Sequence, residues 1–187
     1  MFKALLSGFG LTLVAELGDK TQIAIIALSS RFGFPAVFFG AALAFLVLNV
    51  LAVTAGALLY RSIPEPAVRY LSASLFVAFG ILSLFPGKES SGEAPQSRKG
   101  GPFLSAFTLV ALSELGDKTQ LSLVALASKY GHPLFVFMGG TGALWLSSLA
   151  AAAAGRALLG LVPFKWVRRV SAVVFLAFGL LIAFRLV

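Results

Sequence analysis

The sequence contains no cysteine and only one histidine, His132, among its 187 residues. The absence of cysteine excludes disulfides and thiolate metal sites within this chain. A single imidazole also argues against an imidazole-based zinc or copper site. Charge is scarce as well, since 12% of the residues are charged and only seven are acidic. Soluble proteins have about 25% charged residues, so this chain has too little polar surface for a soluble fold.

Apolar residues are what the sequence has in excess. They make up 59% of the chain, compared with about 45–50% in soluble proteins, and the mean hydropathy is +0.97. These values predict an all-α integral membrane protein surrounded by a lipid bilayer. The net charge of +8 does not indicate a nucleic-acid partner, because the basic residues lie mostly at the ends of apolar segments. Positive charge in that position reports orientation in a membrane.

Six apolar segments are long enough to cross a bilayer, which takes about 20 residues. They span residues 3–30, 35–60, 67–85, 102–128, 133–160 and 165–186. Between the third and the fourth lies a polar segment rich in Gly, Ser and Pro, which is typical of a flexible linker. The chain is therefore divided into a first unit (1–85), a linker (86–101) and a second unit (102–187).

The second unit repeats the first. The motif ELGDKTQ occurs at residues 16–22 and again at 114–120, an offset of 98. One inserted residue then raises the offset to 99, so that FVAFG at 76–80 matches FLAFG at 175–179. Because each unit has three spans, the two copies must cross the membrane in opposite orientations. The prediction is six transmembrane helices arranged as two inverted three-helix repeats.

Basic residues indicate how these spans are oriented. Cytoplasmic loops carry an excess of Lys and Arg, and the side of the linker has eight of them against five on the other side. This favours a cytoplasmic linker, with both termini outside. The eight are Arg31, Lys88, Arg98, Lys99, Arg156, Lys165, Arg168 and Arg169, and the five are Lys3, Arg61, Arg69, Lys129 and Arg185.

The repeated motif places carboxylates in the middle of a span. Glu16 and Glu114 come about twelve residues into their spans, roughly 20 Å deep at 1.5 Å per residue and near the bilayer midplane. An ionised carboxylate at that depth costs several kcal/mol, yet four of the seven acidic residues lie in the two motifs. A salt bridge that joins two helices is the structural alternative. Small residues pack membrane helices at lower cost, so the repetition favours a functional site.

Oxygen ligands without His or Cys favour Mn²⁺, Ca²⁺ or Mg²⁺ over softer metals. Gly18 and Gly116 leave room for close helix approach or for local unwinding, and the first and fourth spans are expected to be distorted at the motif. The predicted metal ligands and proton acceptors are Glu16, Asp19, Glu114 and Asp117. The predicted supporting residues are Thr21, Gln22, Thr119 and Gln120, which would add neutral oxygens, and Lys20 and Lys118, which would occupy the carboxylates when the metal leaves.

Charge counting connects this site to ion exchange. Four carboxylates and two lysines carry a formal charge of −2 when all are ionised, which one divalent cation or two protons would neutralise. Crowded carboxylates removed from water bind protons more readily. Alternate binding of a cation and of protons is how a cation–proton antiporter works, and such a protein is not an enzyme and needs no resident cofactor.

The signature E-x-G-D-[KR]-[ST], present once in each half of a duplicated six-span chain, resembles that of the transmembrane protein 165 family, also called the Gdt family. The resemblance covers essentially the whole chain and implies a Mn²⁺ or Ca²⁺ transporter that exchanges its cargo against protons. It also places the family's proposed cation site on Glu16, Asp19, Glu114 and Asp117. The short linker leads us to expect a compact prokaryotic member, which the resemblance places in the inner (plasma) membrane of a cell. The expected function is export of Mn²⁺, or of Ca²⁺, from the cytoplasm in exchange for protons.

Two other functions are compatible with parts of the pattern. A passive divalent cation channel would use the same ligands without proton coupling. An intramembrane aspartyl protease would use Asp19 and Asp117 as a catalytic dyad, but it leaves both glutamates and both lysines without a role.

Five polar residues in the second and fifth spans could line the pathway or form hydrogen bonds between helices. They are Asn49, Thr54, Thr141, Ser147 and Ser148.

Overall fold

A computed structural model describes residues 1–16, 19–62, 64–84, 101–154 and 164–184, and these residues form eight α-helices and no strand. The helices are α1 (Phe2–Glu16), α2 (Lys20–Phe32), α3 (Phe34–Ser62), α4 (Glu65–Leu84), α5 (Gly101–Glu114), α6 (Lys118–Tyr130), α7 (Pro133–Ala154) and α8 (Phe164–Ala183). The predicted all-α class is confirmed. The predicted linker lies outside the described residues except for Gly101, as do Gly18 and the side chain of Lys20.

Helix is the expected conformation for such apolar segments, because a backbone in lipid must satisfy its hydrogen bonds within the segment. In the described part of the chain, two helices, α3 and α7, are long and apolar enough to cross a membrane by length and composition. Helices α4 and α8 have 20 residues each. The other four helices have 13 to 15 residues, which is too short for one helix to cross the hydrocarbon alone.

These four short helices come from the first and fourth predicted spans, each of which is broken at the motif. Helix α1 ends at Glu16 and α2 begins at Lys20, while α5 ends at Glu114 and α6 begins at Lys118. In the second break Gly116 has a φ of +76°, a left-handed conformation that glycine adopts at little cost. The break agrees with the expected distortion at the motif, and it leaves the last residues of α1 and α5, Glu16 and Glu114, buried in the interior.

Helices of one unit pack against helices of the other in equivalent pairs. A methyl group on Gly40 of α3 would lie 2.3 Å from the carbonyl oxygen of Phe103 of α5. One on Gly139 of α7 would lie 2.2 Å from the carbonyl oxygen of Leu5 of α1. Since Phe103 and Gly139 are the repeat equivalents of Leu5 and Gly40, the two contacts are the same contact made twice. Reciprocal contacts of this kind are produced by a twofold axis.

The contact between α4 and α8 gives the direction of this axis. Gly80 packs against Leu176, and Gly179 packs against Val77. Leu176 and Gly179 are the equivalents of Val77 and Gly80 at an offset of 99. In a parallel pair Ala73 would lie beside its own equivalent, residue 172, but its carbonyl oxygen lies against Gly179, so these helices are antiparallel. The axis that relates the two units is perpendicular to them.

The buried apolar residues form two clusters, one in each half of the molecule. The first contains Leu11 of α1 and Leu123 of α6, and the second contains Ile25 of α2 and Val110 of α5. Helices α3 and α7 contribute to both clusters. We call the part built around α1 and α6 the first half and the part built around α2 and α5 the second half. The motif lies where the four short helices meet, between the two halves.

Candidate metal centre

Glu16 and Glu114 are the last residues of α1 and α5, and both are buried, with exposed fractions of 0% and 2%. Each accepts a hydrogen bond from the other copy of the motif. The Thr119 hydroxyl donates to Oε1 of Glu16 at 2.7 Å, and the Thr21 hydroxyl donates to Oε1 of Glu114 at 2.5 Å. The two glutamates are thus held by a reciprocal pair of bonds that crosses between the repeats.

Asp19 and Lys118 form an ion pair across the same junction. The Lys118 Nζ lies 3.1 Å from Oδ1 of Asp19, and the side chains are 26% and 13% exposed. Asp19 also caps α2, since its Oδ2 accepts from the backbone N–H of Thr21 at 3.4 Å. The aspartate of the first copy of the motif is therefore paired with the lysine of the second copy.

Three of the four predicted ligands come together as a group. Carboxylate oxygens of Glu16, Asp19 and Glu114 all lie within 4.8 Å of one another, a spacing that allows one cation to contact all three. Oε2 of Glu16 is buried and has no hydrogen-bond partner among the described residues. Asp117 occupies the equivalent position before α6, but its carboxylate is not part of this group.

The predicted neutral ligands have different surroundings. Thr21 and Thr119 are buried and already donate to the glutamates, although each hydroxyl oxygen keeps acceptor capacity. Gln22 is buried, and its Nε2 has no partner among the described residues. Gln120 instead accepts from the backbone N–H of Gly116 at 2.8 Å, so it holds the turn of the second break.

Two features of this centre were missed in reading the sequence. The sequence did not reveal that each threonine bonds the glutamate of the other repeat, since only the crossing of the two breaks brings them together. Thr12, with an exposed fraction of 1%, also lies one turn before Glu16. The sequence could have indicated Thr12, because it is the only residue with a hydroxyl group in the four positions before Glu16. Asn49 donates to the Thr141 hydroxyl at 3.0 Å, the interhelical hydrogen bond that the sequence left as one alternative.

A comparison of the sequence with known protein families identifies the family of this chain. The family described as "Divalent cation/proton antiporter GDT1" matches residues 4–91 and 102–186, which is nearly the whole chain. The chain belongs to the GDT1 family. The predicted family is therefore confirmed, and with it the general class of a membrane transporter for divalent cations and protons.

Individual GDT1 relatives match along most of their length. A Vibrio cholerae protein named "Putative manganese exporter" is 30% identical over 173 residues, which cover 91% of this chain and 86% of that protein. The GDT1-like protein 5 of rice (Oryza sativa subsp. japonica) is 27% identical, with 97% of this chain and 96% of the relative covered. The Arabidopsis thaliana GDT1-like protein 5 is 28% identical, with 95% of each covered. No solved structure matches the chain.

Proposed function

We propose that this protein exports Mn²⁺ from the cytoplasm in exchange for protons, with Ca²⁺ as a second cargo. The observation that carries the proposal is the group of three carboxylates from both repeats, whose oxygens lie within 4.8 Å of one another. Hard oxygen ligands suit Mn²⁺ and Ca²⁺, and the relative from Vibrio cholerae supports Mn²⁺ through its name. The transported ion is cargo and not a resident cofactor.

The proposed ligands are Glu16, Asp19 and Glu114, with Asp117 as a fourth carboxylate in another step of the cycle. Three carboxylates and the ammonium group of Lys118 carry a formal charge of −2 when all are ionised. One divalent cation neutralises this charge, and two protons do the same. The site is stable in an apolar interior only when one or the other is bound, and this requirement couples the cation to the protons.

Lys118 has a defined place in this cycle. Its ammonium group lies 3.1 Å from Asp19, so it competes with a cation for that carboxylate. When the metal arrives, the ammonium group must give up this carboxylate oxygen while it stays beside the site, so that the charge count above still holds. Its return to Asp19 favours release of the metal. We propose the equivalent role for Lys20 at another stage of the transport cycle.

The proposed architecture is six spans in two inverted repeats. Spans one and four would consist of α1 with α2 and of α5 with α6, each broken at the motif, and the other four spans of single helices. The reciprocal contacts and the antiparallel packing of α4 on α8 support a twofold axis in the membrane plane, as in other transporters. We place the protein in the inner (plasma) membrane, as expected for a prokaryotic member of the family. The excess of basic residues on the linker side favours a linker in the cytoplasm and both termini outside.

Flux measurements in proteoliposomes test this function. We expect Mn²⁺ added on one side to drive proton movement, which a pH-sensitive dye inside the vesicles reports, and an imposed pH gradient to drive accumulation of ⁵⁴Mn²⁺. A panel of divalent ions would rank Mn²⁺ and Ca²⁺ ahead of Mg²⁺, because Mg²⁺ loses its water ligands reluctantly. Glu114→Gln should abolish both fluxes, while Glu89→Gln in the predicted linker should leave them unchanged.

The same assay separates the alternative functions. Metal flux that ignores the pH gradient, with no proton movement, would indicate a passive channel and would refute the antiporter. Normal exchange by Glu114→Gln would refute the site. Protease activity needs the carboxylates of Asp19 and Asp117 to share a proton, whereas Asp19 is paired with Lys118, so no cleavage of a transmembrane peptide is expected.

A further inference from the structure

The first half of the molecule contains a hydrogen bond that ties α1 to α6. The hydroxyl groups of Ser7 and Tyr130 lie 2.9 Å apart. Ser7 is 7% exposed, and it lies two turns before Glu16 on a helix that ends at the carboxylate group. Tyr130 is the last residue of α6, which begins at the same group. The bond therefore ties the two helices together at the end that is distant from the carboxylates.

The second half lacks this bond although it contains the equivalent helices. The residue equivalent to Tyr130 is Phe32, which has no hydroxyl group. The residue equivalent to Ser7 is Ser105, whose hydroxyl donates to the carbonyl oxygen of Gly101 in its own helix at 2.9 Å. The half built around α2 and α5 thus has no equivalent of the Tyr130 hydroxyl. Its polar contact in the last turn of α2 runs to a different helix, since the Ser29 hydroxyl donates to the carbonyl oxygen of Ala152 in α7 at 2.6 Å.

A second difference between the halves lies next to the carboxylates. The Thr12 hydroxyl is buried and has no hydrogen-bond partner among the described residues. Residues four apart lie on one face of a helix, so Thr12 and Glu16 face the same way, one turn apart. The equivalent position in α5 is Val110. Buried hydroxyl groups are normally paired because an unpaired one is costly, and a passing hydrated cation would supply the missing partner.

We propose that the cation moves between the carboxylate group and one face of the membrane along α1 and α6, past Thr12, and that the Ser7–Tyr130 hydrogen bond is the gate of this route. Thr12 offers a hydroxyl oxygen to the hydrated ion at a depth where the rest of α1 is apolar. The gate opens when the bond between Ser7 and Tyr130 breaks and α6 moves away from α1. The second half has neither feature, so its route opens in a different way. This inference rests on the transport function proposed above.

The natural absence of cysteine makes the route testable by single-cysteine labelling. Thr12→Cys is placed in proteoliposomes and treated with a charged, membrane-impermeant methanethiosulfonate reagent from either face. We expect labelling from one face only, and slower labelling at saturating Mn²⁺ because the ion excludes the reagent. Ser7→Ala or Tyr130→Phe should each speed the labelling of Cys at position 12 about fivefold, the factor that corresponds to the loss of one hydrogen bond.

Matched variants in the second half provide the control. Ser105→Ala removes the hydroxyl equivalent to that of Ser7, which donates to Gly101 of its own helix and lies in the other half, so labelling at position 12 should not change. Val110→Cys should not respond to Tyr130→Phe. Equal labelling rates with and without the Ser7 and Tyr130 substitutions, in preparations whose cysteine-free parent exchanges Mn²⁺ for protons, would overturn the gate. So would an equal increase with Ser105→Ala, which would indicate general loosening. A parent protein that exchanges nothing would instead refute the proposed function.

Discussion

The two copies of ELGDKTQ are identical in sequence, but their surroundings in the folded chain are not. One turn before Glu16, α1 carries the buried hydroxyl group of Thr12, whereas the equivalent position before Glu114 is the apolar Val110. The carboxylate of Asp19 joins the group of three, and that of Asp117 does not. The residues that differ between the two units all lie outside the motif. Duplication therefore accounts for the shared ligands, whereas divergence of the flanking residues makes the two halves unequal.

The largest expected effect tests whether the two glutamates form one site. Glu16→Gln and Glu114→Gln should each lower Mn²⁺ transport by about a hundredfold or more, since each removes one charge from a site of low dielectric. The double variant should be no worse than either single variant, because residues that act as a unit are not additive. ⁵⁴Mn²⁺ uptake into proteoliposomes measures this.

The control for the glutamate variants is the amount of folded protein. Glutamine keeps the shape of glutamate and can still accept from the hydroxyl groups of Thr21 and Thr119, so we expect unchanged elution in size-exclusion chromatography. A double variant that loses the product of the two single effects would mean two independent sites, one in each repeat.

The second effect separates the two aspartates. Asp19→Asn should weaken Mn²⁺ binding by about tenfold or more, roughly 1.4 kcal/mol, because Asp19 contributes to the group of three. Asp117→Asn should weaken binding less, since its carboxylate lies outside that group. Asparagine is as good a helix cap as aspartate, so both helices keep their starts. Calorimetric titration in detergent gives the two affinities, and equal losses would mean that the bound state is more symmetric than this structure.

Much of this arrangement could be predicted from sequence because it is local. Two acidic motifs inside apolar runs, with a glycine in each, predicted both the site and the interruption of its helices. The partners could not be predicted in the same way. Nothing in the spacing of Thr21 indicates that it bonds Glu114, or that Asp19 pairs with Lys118, since those contacts depend on how the two breaks cross in space. The internal repeat predicted that the copies would meet, but not which atoms would touch.

Glycine contacts between the units test the reciprocity of the fold itself. Gly40→Ala and Gly139→Ala each place a methyl group within 2.3 Å of a carbonyl oxygen of the other unit. Both should destabilise the protein by similar amounts, about 1–3 kcal/mol, as expected for overpacking. Gly10→Ala is the matched control, because a methyl group there meets nothing within 4 Å and alanine favours helix. Thermal unfolding in detergent measures all three, and a tolerated Gly139→Ala beside a damaging Gly40→Ala would contradict equivalent packing.

The smallest effect concerns a pair of equivalent positions in α3 and α7, Asn49 and Ser148. Asn49 donates to the Thr141 hydroxyl, whereas the Ser148 hydroxyl is buried without a hydrogen-bond partner in the described residues. A double-mutant cycle of Thr141→Ala with Asn49→Ala should therefore give a coupling energy of about 0.6 kcal/mol of unfolding free energy, the mean for a hydrogen bond between membrane helices. Ser148→Ala should cost nothing or stabilise the protein slightly, since it removes an unpaired polar group. If Ser148→Ala lowers Mn²⁺ transport while stability is unchanged, the Ser148 hydroxyl contacts the cation during transport, and the second half has a polar route of its own.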